Sequence, residues 1–318
     1  MDGRETGALS RGKGEPGRAL LPGAVALALA AFSPAPATAA EAPRPAVRES
    51  WRKVEAGPVT VVGTASDPRL LETAATLRAV VALLPGLVPG AFGSPPPLVV
   101  ALAHEPEHLT RISLPVREGG RIVLAAGGGD EAREALLREA VAALARRSRP
   151  ALPEWAAAGL AEYLSTVSVS GTRATLGRLV ARNVAGLRAA ALPPGRPALF
   201  AAPSLAGDAE GSALLRAEAW AVVHLLLHAE PDGGARLGRH ATLLAEGREE
   251  DAAFAEAFGT TERGLLVRAR AHALAGRSLA RYLPVIPAPP GRVLPLTRAG
   301  AAGILGAAAP GRAAPAPA

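Results

Sequence analysis

The stretch LLREAVAALARRSRPALPEWAAAGLAEYLSTVSVSGTRATLGR, residues 136–178, decides how this chain is read. Its opening continues a helical pattern over 131–149, in which Leu137, Val141 and Leu144 fall at i, i+4 and i+7 on one helical face, with Asp130 as the cap. PEWAAAGLAEYLST (153–166) predicts a second helix, and VSVSGTRATLGR (167–178) a hairpin turning at Gly171.

Upstream of this stretch the pattern changes. VTVVGTA (59–65), LVVALA (98–103) and RIVLAAG (121–127) read as short apolar strands bounded by turns. Between the first two, residues 67–87 show helical spacing, with Asp67 as N-cap and Pro68 at the first helical position. The glycines at 127–129 lack a following Lys-Ser/Thr, so they predict a plain turn and not a phosphate loop. Downstream the chain is helical over 211–230, 238–247 and 250–274, and from Pro284 it becomes a Pro/Ala/Gly-rich tail that reads as linker. Strands with one helix first, then helices, predict an α+β fold.

Composition narrows the function classes. The chain is 49% apolar but only 3% aromatic, so its core has few large anchors. It has no cysteine, which excludes disulfides and thiolate metal sites. The net charge of +7 comes from scattered arginines, with Lys13 and Lys53 the only lysines, a bias resembling GC-rich codon preference. No basic run with interleaved aromatics tracks a phosphate backbone, so nucleic acid is not an expected partner.

Arg11, Lys13 and Arg18 precede the apolar run ALLPGAVALALAAF (19–32), and Ala37-Thr38-Ala39 fits a small-x-small cleavage site. This predicts export to the periplasm, cell envelope or medium, with residues 1–39 removed; an uncleaved anchor is the alternative. Removal takes away four basic and three acidic side chains, leaving a charge of +6 and no expected membrane span in the mature chain.

His104-Glu105-Pro106-Glu107-His108 spells His-Glu-x-x-His, the pattern of zinc peptidases. That chemistry needs both histidines one turn apart on a helix, with the glutamate as base on metal-bound water. Pro106 inside the pentad costs about 3 kcal/mol in a helix interior. It fits the first helical position instead, leaving His104 at a strand end and His108 in a first turn. His224 and His228 share i, i+4 spacing on a credible helix but have no base between them.

Residues 136–178 resemble peptidase MA-like gluzincin domains of bacterial exported proteins, a family often of unknown function. The family pattern runs approximately LxHExxHxLL, fifteen residues, WLNEGLAEYxS, then a hairpin ending in IGR. In those relatives the two histidines and the glutamate of NEG bind zinc, and the glutamate of HExxH is the base. On this chain HExxH falls on Arg138-Glu139-Ala140-Val141-Ala142, and WLNEGLAEY on Trp155 to Tyr163, with fifteen residues (143–157) between Ala142 and Ala158. Trp155, Gly159, Leu160, Ala161, Glu162 and Tyr163 match. The three ligand positions, Arg138, Ala142 and Ala158, do not, and only Glu139 keeps the general-base position. The likeness extends over 51–285, with residues 51–66 as an opening strand and LFAAPS (199–204), EAWAVVHLLLH (218–228) and FAEAFGT (254–260) as later landmarks. It implies a linker at 40–50, a degenerate domain at 51–285 (an α/β part to 130, a helical part after it) and a tail at 286–318.

Alanine has no atom that coordinates zinc, and arginine is a permanent cation, so the resemblance implies a pseudopeptidase without zinc or another cofactor. Arg138 has two candidate arrangements. In one it enters the emptied metal position and pairs with Glu139 or Glu162; in the other it pairs with Glu134 one turn back. Trp51, Trp155, Trp220 and Tyr163 are expected in the core, and His224 is a candidate for the cleft. The leading expectation is a binding or scaffolding module for a peptide or envelope component. One alternative is a metallopeptidase using His104, His108 or His224 with Glu139 or Glu162, and another is a decaying gene product.

Overall fold

Residues 51–63 fold as a hairpin because Gly57, at a left-handed φ of 61°, and Pro58 make a two-residue turn between apolar runs. The hairpin joins β1 (Trp51–Ala56) to β2 (Val59–Gly63), so the strand expected from residue 59 has an antiparallel partner before it. The computed structural model describes residues 50–104, 122–127, 130–192, 197–201, 209–276, 280–286 and 291–305.

Helix α1 (Asp67–Leu87) carries the chain over the sheet to β3 (Leu98–Leu102), which pairs parallel with β2. All five residues of β3 are buried, as befits an unbroken apolar run covered on both faces. β4 (Ile122–Ala126) adds a second parallel pair. The cap of α1 is Ser66, which corrects the expectation for Asp67. Asp67 stands inside the first turn, where its carboxylate accepts from Arg52 at 2.6 Å. Among the described residues α1 is the one helix long and apolar enough to cross a membrane, and 61% of its apolar window is buried in this fold.

The tail is corrected more substantially. β8 (Leu294–Leu296) pairs antiparallel with β1, completing a mixed sheet in the order β4-β3-β2-β1-β8. Pro295 suits this edge strand because it has no N–H to offer a neighbour. The following helix (Arg298–Leu305) buries Ala301 and Leu305 with Trp51, Val62, Val99 and Ala101 on one sheet face. The face holding Val61 and Val100 shares a core with α1 and the helical half.

That half begins with α2 (Asp130–Ala145) and α3 (Glu154–Ser165). α2 stops short of residue 149 because Ser148 Oγ donates to the Ala145 carbonyl at 2.7 Å and accepts from Leu152 N at 3.0 Å, which turns the chain. β5 (Ser168–Ser170) and β6 (Arg173–Leu176) form the expected hairpin, with Gly171 at φ 56°. β7 (Arg281–Pro284) joins them as a third strand.

Next come α4 (Ala181–Ala189), the single turn α5 (Ala198–Ala201) and α6 (Ala209–His228). α7 (Gly233–Ala245), α8 (Glu250–Phe258) and α9 (Glu262–Leu274) complete the bundle. The helix expected over 250–274 is two helices. Gly259 turns left-handed at φ 68° and Thr261 caps α9 by accepting from Gly264 N. α3 lies directly against α6, since a Cβ on Gly159 would stand 2.3 Å from the Ala219 carbonyl oxygen. The described residues are α+β, a mixed five-stranded sheet and a small three-stranded one with helices.

Candidate functional site

Packing α2 on α3 brings Arg138 to Glu162, Nη1 to Oε1 at 3.5 Å. The Glu162 side chain is only 4% exposed and that of Arg138 27%. The other carboxylate oxygen of Glu162 accepts from Arg182 Nη2 at 2.9 Å, and Arg182 Nη1 reaches Glu134 at 3.2 Å. The result is a charge chain, Glu134–Arg182–Glu162–Arg138, that starts and ends on α2 and passes through Arg182 of α4 and Glu162 of α3. Burial works against the charge on Arg182, but Glu162 and Glu134 outweigh it and raise its pKa.

Arg182 is held there from a distance. At the far end of α4 the buried Arg270 donates to the Leu187 carbonyl at 2.7 Å and to the Ala190 carbonyl, while pairing with Glu218 at 3.0 Å. This clamp fixes α4 against α6 and α9. Burial raises the Glu218 pKa, with Arg270 opposing.

Of the two arrangements open to Arg138, the structure has the one on Glu162, and Glu134 belongs to Arg182. Glu139 is exposed and forms no part of the chain. Ala142 and Ala158, one turn along each helix from the Arg138–Glu162 contact, are partly buried against the core. These positions do not fit zinc: one presents a guanidinium and two present methyl groups. Among the described residues no group of three or more His, Asp or Glu is placed to hold a metal ion.

His224 sits elsewhere, fully buried on α6. Its Nε2–H donates to the Gly177 carbonyl at 3.0 Å, so Nδ1 is the nitrogen that meets His272 Nε2 at 3.0 Å. The His228 ring stacks on it at 4.4 Å and 19°, and His228 Nδ1 meets the Tyr163 hydroxyl at 3.0 Å. Burial lowers the His224 pKa to about 4, with smaller contributions from His228 and His272. Burial also lowers His272 and pushes the Tyr163 phenol up. Both His224 nitrogens are engaged, which argues against a metal on the His224/His228 pair.

Trp51, Trp155, Trp220 and Tyr163 are core residues, as expected. Trp155 packs edge-on against Phe200 at 5.3 Å and near Phe254, Phe258 and His240. His104 stands exposed just past β3, its N–H donating to Thr64 Oγ1 at 3.2 Å. Glu105 to His108 lie outside the described residues, as do the export segment and the cap contact expected of Asp130. A cavity of about 450 Å³, lined by Asp251, Phe254, Thr261 and Glu262 among others, shares no residue with either cluster.

No family model matches the chain, and no curated protein matches it.

Proposed function

We propose that this chain is an exported binding module built on a gluzincin-like frame whose zinc site has been lost, and that its ligand is a peptide or envelope component. One observation supports the reading: α2 and α3 bring Arg138, at the first histidine position of the HExxH pattern, onto Glu162 of the GLAEY segment, and alanines stand at the other two ligand positions. The close approach of α3 to α6 at Gly159 supports the same register, because it explains a glycine of the shared motif by contact. Without a metal-activated water, Glu139 has no nucleophile of the family's kind to deprotonate. Export rests on the N-terminal apolar run and Ala37-Thr38-Ala39.

The test is metal content. The purified full chain is incubated with one equivalent of zinc, desalted and assayed, and its thermal melt is recorded with and without a chelator. The reading expects no retained zinc and a cooperative melt that the chelator leaves unmoved. Stoichiometric zinc, or a melt lowered by chelation, would overturn it.

A further inference from the structure

We propose that Arg138, the solvent-reaching end of the charge chain on α2, receives a carboxylate of the ligand. A guanidinium carries five N–H donors in a planar fork that matches a carboxylate bidentately. Among the described residues Arg138 makes one ion pair, at 3.5 Å, longer than the roughly 2.7–2.9 Å of a strong charge-assisted hydrogen bond. Arg182 takes one oxygen of Glu162 at 2.9 Å and one of Glu134 at 3.2 Å, and Glu139 is exposed. Arg138 therefore ends the charge chain with donors in hand, and its side chain remains 27% exposed.

The surroundings limit the ligand further. Ala142 and Ala158 are partly buried and offer only methyl groups, so they fit an apolar portion next to the carboxylate. The surrounding charges, Glu134, Glu139 and Glu162 against Arg138 and Arg182, penalise dianions and polyanions and leave a monoanionic carboxylate as the favoured charge. For a peptide, the C-terminal carboxylate with a small last side chain meets these terms. A small free carboxylic acid shares the chemistry.

N-acetyl-tetra-alanine as the free acid, its carboxamide, acetate and inorganic phosphate are titrated into the full chain while the arginine Nε–H resonances are followed by NMR. The inference expects saturable movement of the Arg138 resonance with the free acid and none with the carboxamide. Phosphate should bind more weakly, and Arg138→Gln should weaken the acid by about tenfold or more. Glu139→Gln, at an exposed position that leaves folding intact, should tighten it. Acetate binding as well as the peptide acid also supports the site and assigns it to small acids. Equal binding of acid and carboxamide, no response to any carboxylate, or indifference to both substitutions would overturn the inference. It rests on the zinc-free reading, and the two fail separately: retained zinc defeats that reading, whereas a zinc-free chain that ignores carboxylates defeats only the carboxylate site.

Discussion

Glu162 and Tyr163 are neighbours on α3, yet they anchor two polar clusters of opposite character. Glu162 holds charges: Arg138 and Arg182 converge on it, and both guanidinia keep contact with solvent. Tyr163 joins a neutral cluster, in which His228, His272 and the Gly177 carbonyl engage one another around the fully buried His224. Burial is tolerated on one side by pairing charges and on the other by suppressing them. Both His224 nitrogens are engaged within its cluster, whereas the charged cluster ends in a loosely paired guanidinium. On the proposed reading, the neutral side serves stability and the charged side binding.

The largest expected effect lies on the neutral side. The pKa of His224 is about 4 in the fold against 6.5 unfolded, so between these values the unfolded chain binds more protons. His240, buried among Trp155, Phe254 and Phe258, is likewise lowered to about 4, chiefly by burial. Stability is whole above pH 6.5 and falls as the pH drops toward 4, by on the order of 3 kcal/mol for each histidine. Denaturant midpoints recorded across that range check this, and a flat profile would remove the neutral cluster from the comparison.

The next effect lies at the seam between the clusters. Gly159→Ala would set a methyl group 2.3 Å from the Ala219 carbonyl oxygen and 2.6 Å from Val223 Cγ2. Backbone cannot swing aside, so the cost falls at the top of the overpacking range, about 3 kcal/mol. A thermal melt measures it. An unmoved midpoint would mean that α3 and α6 are not in this contact.

The charged side should cost least. Glu162→Gln removes the anion that two arginines share, but both can turn toward water, so about 1 kcal/mol is expected after allowing for screening. Arg138→Gln should change stability by less than about 0.5 kcal/mol. Equilibrium unfolding of the two variants side by side tests the assignment, and a large loss from Arg138→Gln would make that arginine a structural element.

Much of this was legible in the sequence where the pattern was long or the turn specific. Residues 67–87 form one helix as spaced, the hairpin turns at Gly171, and Leu137, Val141 and Leu144 face the core. The pairing of Arg138 was one of two arrangements, because helical spacing alone places Glu134 as near to it as α3 does. What stayed hidden depends on distant chain. Arg182 reaches the site from α4, whose far end Arg270 clamps from 83 residues beyond Leu187. His272 meets His224 from 48 residues away. β8 is three residues long and carries a proline, so its place beside β1 leaves no periodic trace. The break at Gly259 was readable, since glycine followed by Thr261 two residues on spells a helix stop and a new cap.

The central claim is that Arg138, Ala142 and Ala158 occupy the positions of lost zinc ligands. Restoring them tests it most directly. The triple variant Arg138→His, Ala142→His, Ala158→Glu is purified beside the starting chain, given zinc, desalted and assayed for metal. The account predicts one zinc per chain in the variant, with a melting temperature that rises on loading, and none in the starting chain. A folded variant that holds no more zinc than the starting chain would show that the three positions do not converge, and would contradict it.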